Sequence, residues 1–168
     1  MPLLPDIAMF QQSLGALPLA TFQAGDTVFT AGSRTNLLLI LRSGAAAIVK
    51  DGIEIAKVTE PGAVFGELSA LLDQPHTADV RASEPSQFHV ADAATLLTKD
   101  PIGLLYVATV LARRLDGANK ALIELKSQLQ SVQPNSVIGK TIEKIEELLS
   151  PGGGASLVYA GYPYNPYA

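Results

Sequence analysis

The sequence predicts an α+β fold, in which a β-roll of the jelly-roll or double-stranded β-helix type carries flanking helices and a long C-terminal helix. Three observations support this fold class. Short apolar stretches alternate with turn residues between residues 15 and 92, a heptad pattern continues from 104 to 132, and the composition can fill a core. Of the 168 residues, 48% are hydrophobic and 17% are charged, which is typical of a globular domain.

Each element has its own signal. Apolar residues spaced for one helical face, at positions 3, 7, 10 and 14, predict an N-terminal helix within residues 1–14. Strands are expected at residues 21–29, 37–41, 45–50, 53–58, 77–82 and 87–90. Asp51-Gly52 is a strong signal for a two-residue hairpin turn, because such a turn needs positive φ angles. Glycines at 25, 32, 44 and 66 mark further turns, and strands spaced in this way indicate a sandwich or roll.

Helices are expected from residue 93 to 132, and Asp100-Pro101 is a favourable helix start. Apolar residues then recur at steps of four and three: Leu104, Ala108, Leu111, Leu115, Ala118, Leu122, Leu125, Leu129 and Val132. A regular 3.5-residue repeat predicts a partner helix, most simply that of a second copy, so a homodimer through residues 104–132 is expected. The alternative is a long helix lying on its own β-roll.

Beyond this helix, the sequence predicts a short amphipathic helix within residues 133–150 and a Gly- and Pro-rich flexible tail over residues 151–168. The tail holds four of the five tyrosines. Tyrosines on such a segment can dock on a protein partner or back on the domain, and the alternative is a disordered tail. The residues after Leu129 are too few and too weakly basic for a helix-turn-helix, so direct DNA binding is not expected.

Composition excludes several function classes. The net charge of −4 and the lack of a Lys- or Arg-rich run argue against a nucleic-acid partner. The chain has no cysteine and only two histidines, so neither disulfides nor a metal site is expected. No apolar run reaches the ~18–20 residues of a membrane span, and the N-terminus does not resemble a signal peptide. We therefore expect a cytoplasmic protein without a membrane partner.

The most informative segment is residues 65–82, FGELSALLDQPHTADVRA. Phe65 ends an extended run, and Gly66 lets the chain turn and bring bare backbone close to a ligand. Glu67 then opens a short helix over residues 68–72, whose first N–H groups and dipole favour a phosphate. The Glu67 carboxylate can accept a hydrogen bond from a sugar hydroxyl. The pattern predicts a small anion pocket built mostly of backbone.

This segment resembles the phosphate-binding cassette of cyclic nucleotide-binding domains, and we call residues 65–82 the cassette. The matching residues are Phe65, Gly66, Glu67, Leu68, Pro75, Ala78, Val80 and Ala82. The resemblance extends over about residues 15–130. It implies a β-roll that binds cAMP or cGMP, a long dimerisation helix and a regulatory rather than an enzymatic role.

The resemblance also implies roles for individual residues. Glu67 would accept the ribose 2′-hydroxyl, and the N–H groups of residues 66–69 would face the phosphate, which the Thr77 hydroxyl could also reach. Arg114 would pair with Glu67 or across the dimer, and Asn119 could contact the purine. Each role has an ordinary alternative. Glu67 could simply stabilise the start of a helix, and Thr77 could simply suit a strand. Arg114 and Asn119 could be solvent-exposed polar residues of a helix. The expected ligand-binding residues are therefore Phe65, Gly66, Glu67, Leu68, Ser69, His76, Thr77, Ala78, Arg114 and Asn119.

His76 is the main departure, because the family places at this position an Arg that pairs with the cyclic phosphate. Arginine is a permanent cation with a fork of donors, whereas an imidazole with a pKa of about 6.5 is mostly neutral at pH 7. Asp79 adds a carboxylate, which Arg81 on the same strand face could neutralise. Two functions stay open: a ligand-sensing regulatory domain, and a degenerate domain that serves as a ligand-independent interaction module. No arrangement of catalytic residues is recognisable.

Overall fold

The structure is a computed structural model that describes residues 7–129 and 136–149. The first of its two compact units comprises Met1–Val110 and the second Leu111–Ala168. The elements in chain order are α1 Ile7–Leu14, β1 Leu19–Phe22, β2 Thr27–Phe29, β3 Leu37–Ser43, β4 Ala46–Lys50, β5 Ile53–Val58, β6 Val64–Phe65, α2 Glu67–Leu71, β7 Asp79–Ala82, β8 Ser86–Asp92, α3 Ala93–Lys99, α4 Pro101–Gln128 and α5 Val137–Leu149.

The strands form two four-stranded antiparallel sheets, with the orders β1-β8-β3-β6 and β2-β7-β4-β5. Both sheets contribute to one apolar cluster of buried residues: Phe29, Leu39, Leu41, Ala46, Phe65, Val80 and Phe88. This arrangement confirms the predicted β-roll. The hairpin turn between β4 and β5 is also as predicted, since Asp51 and Gly52 have φ angles of 51° and 79°.

Several strand boundaries differ from the sequence prediction by one or two residues. The stretch 21–29 contains the two short strands on either side of the Gly25-Asp26 turn that the sequence predicts, whereas the strand predicted at 77–82 begins only at Asp79. This late start has a local cause. Gly32 N–H donates to the His76 carbonyl at 2.8 Å, and His76 N–H donates to the Ser33 carbonyl at 2.9 Å. The backbone before β7 therefore pairs with the loop after β2 and joins the β7 ladder only later.

Helices α4 and α5 each begin at a side chain that caps the first turn. Oδ1 of Asp100 accepts from the N–H groups of Ile102 and Gly103, both at 3.0 Å, and so caps the first turn of α4. Oγ of Ser136 caps α5 by accepting from Gly139 N–H at 3.0 Å. In the second unit, Leu122 and Ile142 are buried, and the Lys126–Glu146 ion pair of 2.5 Å joins α4 to α5.

Some predictions fall on residues that the structure does not describe. The start of the N-terminal helix, the linker between α4 and α5 and the Tyr-rich tail lie outside the described residues. Within residues 7–129 and 136–149, no single helix is long and apolar enough to span a membrane. The pair α3–α4 meets those limits only when the two helices are taken together, and it is bent by 103°.

Candidate functional site

The turn before α2 has the conformation that an anion pocket needs. Gly66 has a φ of 92°, and a Cβ placed on it would lie 2.5 Å from the Leu37 carbonyl oxygen and 3.2 Å from the Phe29 ring. Only glycine fits this position without strain. Gly66 is also the N-cap of α2 and has no side chain to bond to the first turn. No side chain at position 66 therefore competes for these N–H groups.

Glu67, the first residue of α2, is buried and only 3% exposed. A carboxylate in the first turn of a helix is stabilised by the helix dipole. A role as the acceptor for a ligand hydroxyl stays a prediction for Glu67. Glu67 also acts electrostatically on His76, since its negative charge opposes the lowering of the pKa of that imidazole.

The His76 imidazole is packed into the domain and is 8% exposed. Its ring stacks on Phe29, with a centroid distance of 4.2 Å and an interplanar angle of 22°. Nε2 lies 3.0 Å from Oγ1 of Thr35. Burial lowers the pKa of His76, and the nearby charge of Glu67 only partly counteracts this effect. At neutral pH, the position of the family's arginine therefore carries an uncharged ring.

The loop between β2 and β3, residues 30–36, lies along the middle of the cassette, and we call it the clasp loop. It contacts the segment from Asp73 to Asp79 through two backbone hydrogen bonds to His76 and through three contacts that involve side chains. These side-chain contacts are Arg34 Nη1 to Asp73 Oδ1 at 2.9 Å, Thr35 Oγ1 to His76 Nε2 at 3.0 Å, and Ala31 N–H to Asp79 Oδ1 at 2.7 Å.

Sequence reasoning missed Phe29 and Thr35, which contact the His76 ring, and Arg34, which pairs with Asp73. The Thr35–His76 contact joins residues 41 positions apart. No local pattern predicts such a contact, and the only sequence signal in this loop is the turn at Gly32. Gly32 does have the positive φ of a turn glycine, 80°, but the turn alone does not indicate which segment the loop contacts.

The remaining cassette residues have different environments. Phe65 is buried in the core cluster, Leu68 is exposed, and Ser69 Oγ donates to the Gln74 carbonyl at 2.5 Å. Thr77 is exposed and Ala78 is half-buried. None of these observations contradicts a role in ligand binding, which stays a prediction for each of them.

Asp79 and Arg81 neutralise each other as expected, with a distance of 2.9 Å between Arg81 Nη2 and Asp79 Oδ2. The hydrogen bond from Ala31 N–H, followed by the bond from Arg81, lowers the pKa of Asp79. Asp79 is thus held by the clasp loop and by its own strand. Its negative charge is compensated before any ligand arrives.

Arg114 and Asn119 lie on α4 in the second unit, whereas the other expected ligand-binding residues lie in the first. Arg114 is exposed and Asn119 is half-buried. Their contacts with a nucleotide stay predictions. Within the residues that the structure describes, no group of three or more His, Cys, Asp or Glu residues is placed to hold a metal ion.

Known proteins resemble this chain in sequence and in fold. The profile of the cyclic nucleotide-binding domain matches residues 19–98. A cGMP-dependent protein kinase of Eimeria tenella is 35% identical over 71 residues, which are 42% of this chain and 7% of that protein. A cAMP-dependent protein kinase regulatory subunit of Yarrowia lipolytica is 32% identical over 72 residues, which are 43% of this chain and 19% of that protein.

The cAMP-bound structure of PfPKA-R superposes with a TM-score of 0.57 and 26% sequence identity, and the match covers 72% of this chain and 41% of that chain. The chain thus spans only a small part of the two protein kinase relatives and less than half of the PfPKA-R chain. By profile, sequence and fold, residues 19–98 of this chain are similar to cyclic nucleotide-binding domains.

Proposed function

We propose that this chain is a cytoplasmic ligand-sensing regulatory domain that binds cAMP or cGMP in its β-roll. The observation that carries the proposal is the Gly66–Glu67 turn. A glycine with a φ of 92° precedes a helix start that it leaves uncapped, and a buried carboxylate follows it. This pairing supplies backbone donors for a phosphate and an acceptor for a ribose hydroxyl.

Ligand occupancy would be transmitted through α4 to a partner, as a shift between two positions of that helix. The N-terminal part of α4 is already connected to the turn that leads into the cassette strand. Tyr106 on α4 donates from its hydroxyl to the Gly62 carbonyl at 2.8 Å. Gly62 lies two residues before β6, so a change at the cassette has a short covalent and hydrogen-bonded path to the helix.

A second candidate function is a degenerate domain that acts as a ligand-independent interaction module. The environment of His76 favours it. The ring that replaces the phosphate-binding arginine stacks on Phe29 and bonds to Thr35, which are contacts of a structural residue. An arginine-to-histidine change at a charged contact removes roughly 1.5–3 kcal/mol, or about ten- to a hundredfold in affinity.

Calorimetric titration with cAMP and cGMP distinguishes the two candidates. The wild-type protein is compared at pH 8 and pH 6 with His76→Arg and with His76→Gln, which replaces the ring without adding a charge. We expect saturable wild-type binding that strengthens at pH 6, because protonated His76 attracts the phosphate. We also expect about ten- to a hundredfold tighter binding by His76→Arg, and no gain for His76→Gln.

Circular dichroism should show that both variants keep the wild-type fold. If neither the wild-type protein nor His76→Arg releases heat at millimolar ligand, the sensor proposal is wrong and the interaction module remains. If His76→Gln strengthens binding as much as His76→Arg, a charge at position 76 is not what the pocket lacks.

A further inference from the structure

We propose, on the basis of the function proposed above, that Arg34 supplies the phosphate-pairing guanidinium that position 76 lacks. Arg34 belongs to the clasp loop and is 42 positions upstream of His76 in the sequence. The guanidinium would then come from the clasp loop, which is bonded to His76, and not from position 76 itself. Arg34 is then a specificity-determining residue for ligands that carry a phosphate.

The clasp loop holds Arg34 next to position 76. Both neighbours of Arg34 are bonded to His76: the Ser33 carbonyl accepts from His76 N–H at 2.9 Å, and Thr35 Oγ1 lies 3.0 Å from Nε2. Gly32 N–H bonds to the His76 carbonyl at 2.8 Å. Two of these contacts hold the backbone just before Arg34, and the third holds the side chain of Thr35, which follows it. The Arg34 side chain takes no part in the three contacts.

The present partner of Arg34 is easily exchanged. Nη1 lies 2.9 Å from Asp73 Oδ1, and the side chains of Arg34 and Asp73 are 58% and 88% exposed. An ion pair in this setting contributes little, because water screens it and two mobile side chains must be held in place. A phosphate can instead accept two parallel hydrogen bonds from a guanidinium, which is a stronger arrangement.

The charges of the cassette also favour a cation from the clasp loop. His76 contributes an uncharged ring at the position of the family's arginine. The cassette's own arginine, Arg81, is held by Asp79 Oδ2 at 2.9 Å. Arg34 is a cation whose neighbours on both sides in the chain are bonded to His76.

The test measures the affinity of four ligands by calorimetry: cAMP, cGMP, adenosine and guanosine. We expect Arg34→Gln to weaken the binding of the cyclic nucleotides about tenfold, because a charge-assisted contact is lost, and to leave nucleoside binding unchanged. Asp73→Asn should strengthen cyclic nucleotide binding about two- to threefold, because it releases Arg34. Lys57→Gln, which removes one exposed positive charge from β5, is the matched control and should change nothing.

The same Arg34→Gln change is then introduced together with His76→Arg. If position 76 again supplies the guanidinium, the loss caused by Arg34→Gln should fall below about twofold. Wild-type binding that is unaffected by Arg34→Gln would overturn the role of Arg34 and leave the proposed function intact. Binding by His76→Arg with none by the wild-type protein would also overturn it. If no variant binds, both proposals are wrong.

Discussion

The position after Pro75 shows how one residue changes the chemistry of the cassette. An arginine there would keep its charge at any physiological pH and would need an anion or a carboxylate to offset its burial. His76 avoids that cost, since it becomes neutral and packs on Phe29 while it bonds to Thr35. The same contacts that stabilise the domain remove the cation from the pocket.

The two histidines should make the stability of the domain sensitive to mild acid. Burial is the largest cause that lowers the pKa of each of them, and Nδ1 of His89 is buried without a hydrogen-bond partner. The native state therefore binds fewer protons than the unfolded state below about pH 6.5. The stability is fully present above that pH and is lost as the pH falls through the lowered native pKa values.

The measurement is urea unfolding at pH 7.5 and pH 5.5, which stays above the titration of the carboxylates. We expect a lower free energy of unfolding at pH 5.5 for the wild-type protein. A variant with both His76→Gln and His89→Gln should show a smaller difference between the two pH values. An equal difference in both proteins would assign the acid sensitivity to other groups.

Residues that act within one turn of chain were predictable from the sequence, and residues that act across the fold were not. The requirement for glycine at position 66 follows from the local turn, and the structure shows the φ of 92° that the turn needs. The environment of His76 depends on Thr35, which is 41 positions away. From the sequence alone, His76 could be given only the pKa of an ordinary imidazole.

Among the elements, α1, α4 and the turn between β5 and β6 share one cluster in the first unit. The Tyr106 ring stacks on buried Phe10 at a centroid distance of 3.7 Å, and its hydroxyl bonds to the Gly62 carbonyl at 2.8 Å. Gly62 has a φ of 91°, and a Cβ on it would overlap the Tyr106 hydroxyl. The contact between Gly62 and α4 could not be predicted from the sequence, because it joins residues 44 positions apart.

Gly62→Ala should therefore destabilise the domain more than an equivalent change at a glycine without neighbours. Gly25→Ala is the matched control, because Gly25 has a φ of 90° and open space where the Cβ would be. We expect a loss of about 1 kcal/mol for Gly25→Ala from backbone strain alone. The loss for Gly62→Ala should be about 2–3 kcal/mol, because the Tyr106 hydrogen bond is also broken.

Urea unfolding of both variants and of Tyr106→Phe measures these differences. Tyr106→Phe keeps the ring stacked on Phe10 and should lose only about 1 kcal/mol. Equal losses for Gly62→Ala and Gly25→Ala would show that the contact between the turn and α4 contributes nothing. In that case, the proposed path from the cassette to α4 would lose its support.

For the molecule as a whole, the question is which face of α4 is left for a partner. In the first unit, α4 buries Gly103 and Val107, whereas Leu104 and Ala108 of the heptad pattern are exposed. In the second unit, Leu122 is buried, but Leu115 and Leu125 are 48% and 42% exposed. A partner helix for the heptad pattern stays a prediction, since Leu122 of the same pattern is buried while Leu104, Leu115 and Leu125 are exposed.

A second copy of the chain is the partner that the heptad pattern predicts, and Leu115 is the position at which to test it. We expect the wild-type protein to be dimeric in sedimentation equilibrium and Leu115→Asp to weaken the dimer at least about tenfold, because an unpaired charge would be buried in the seam. Ile123→Asp is the control, since Ile123 is 68% exposed and lies outside the seam. A monomeric wild-type protein, or equal dissociation by Ile123→Asp, would show that the seam has another use. Ligand occupancy would then have to be transmitted through α4 within a single chain.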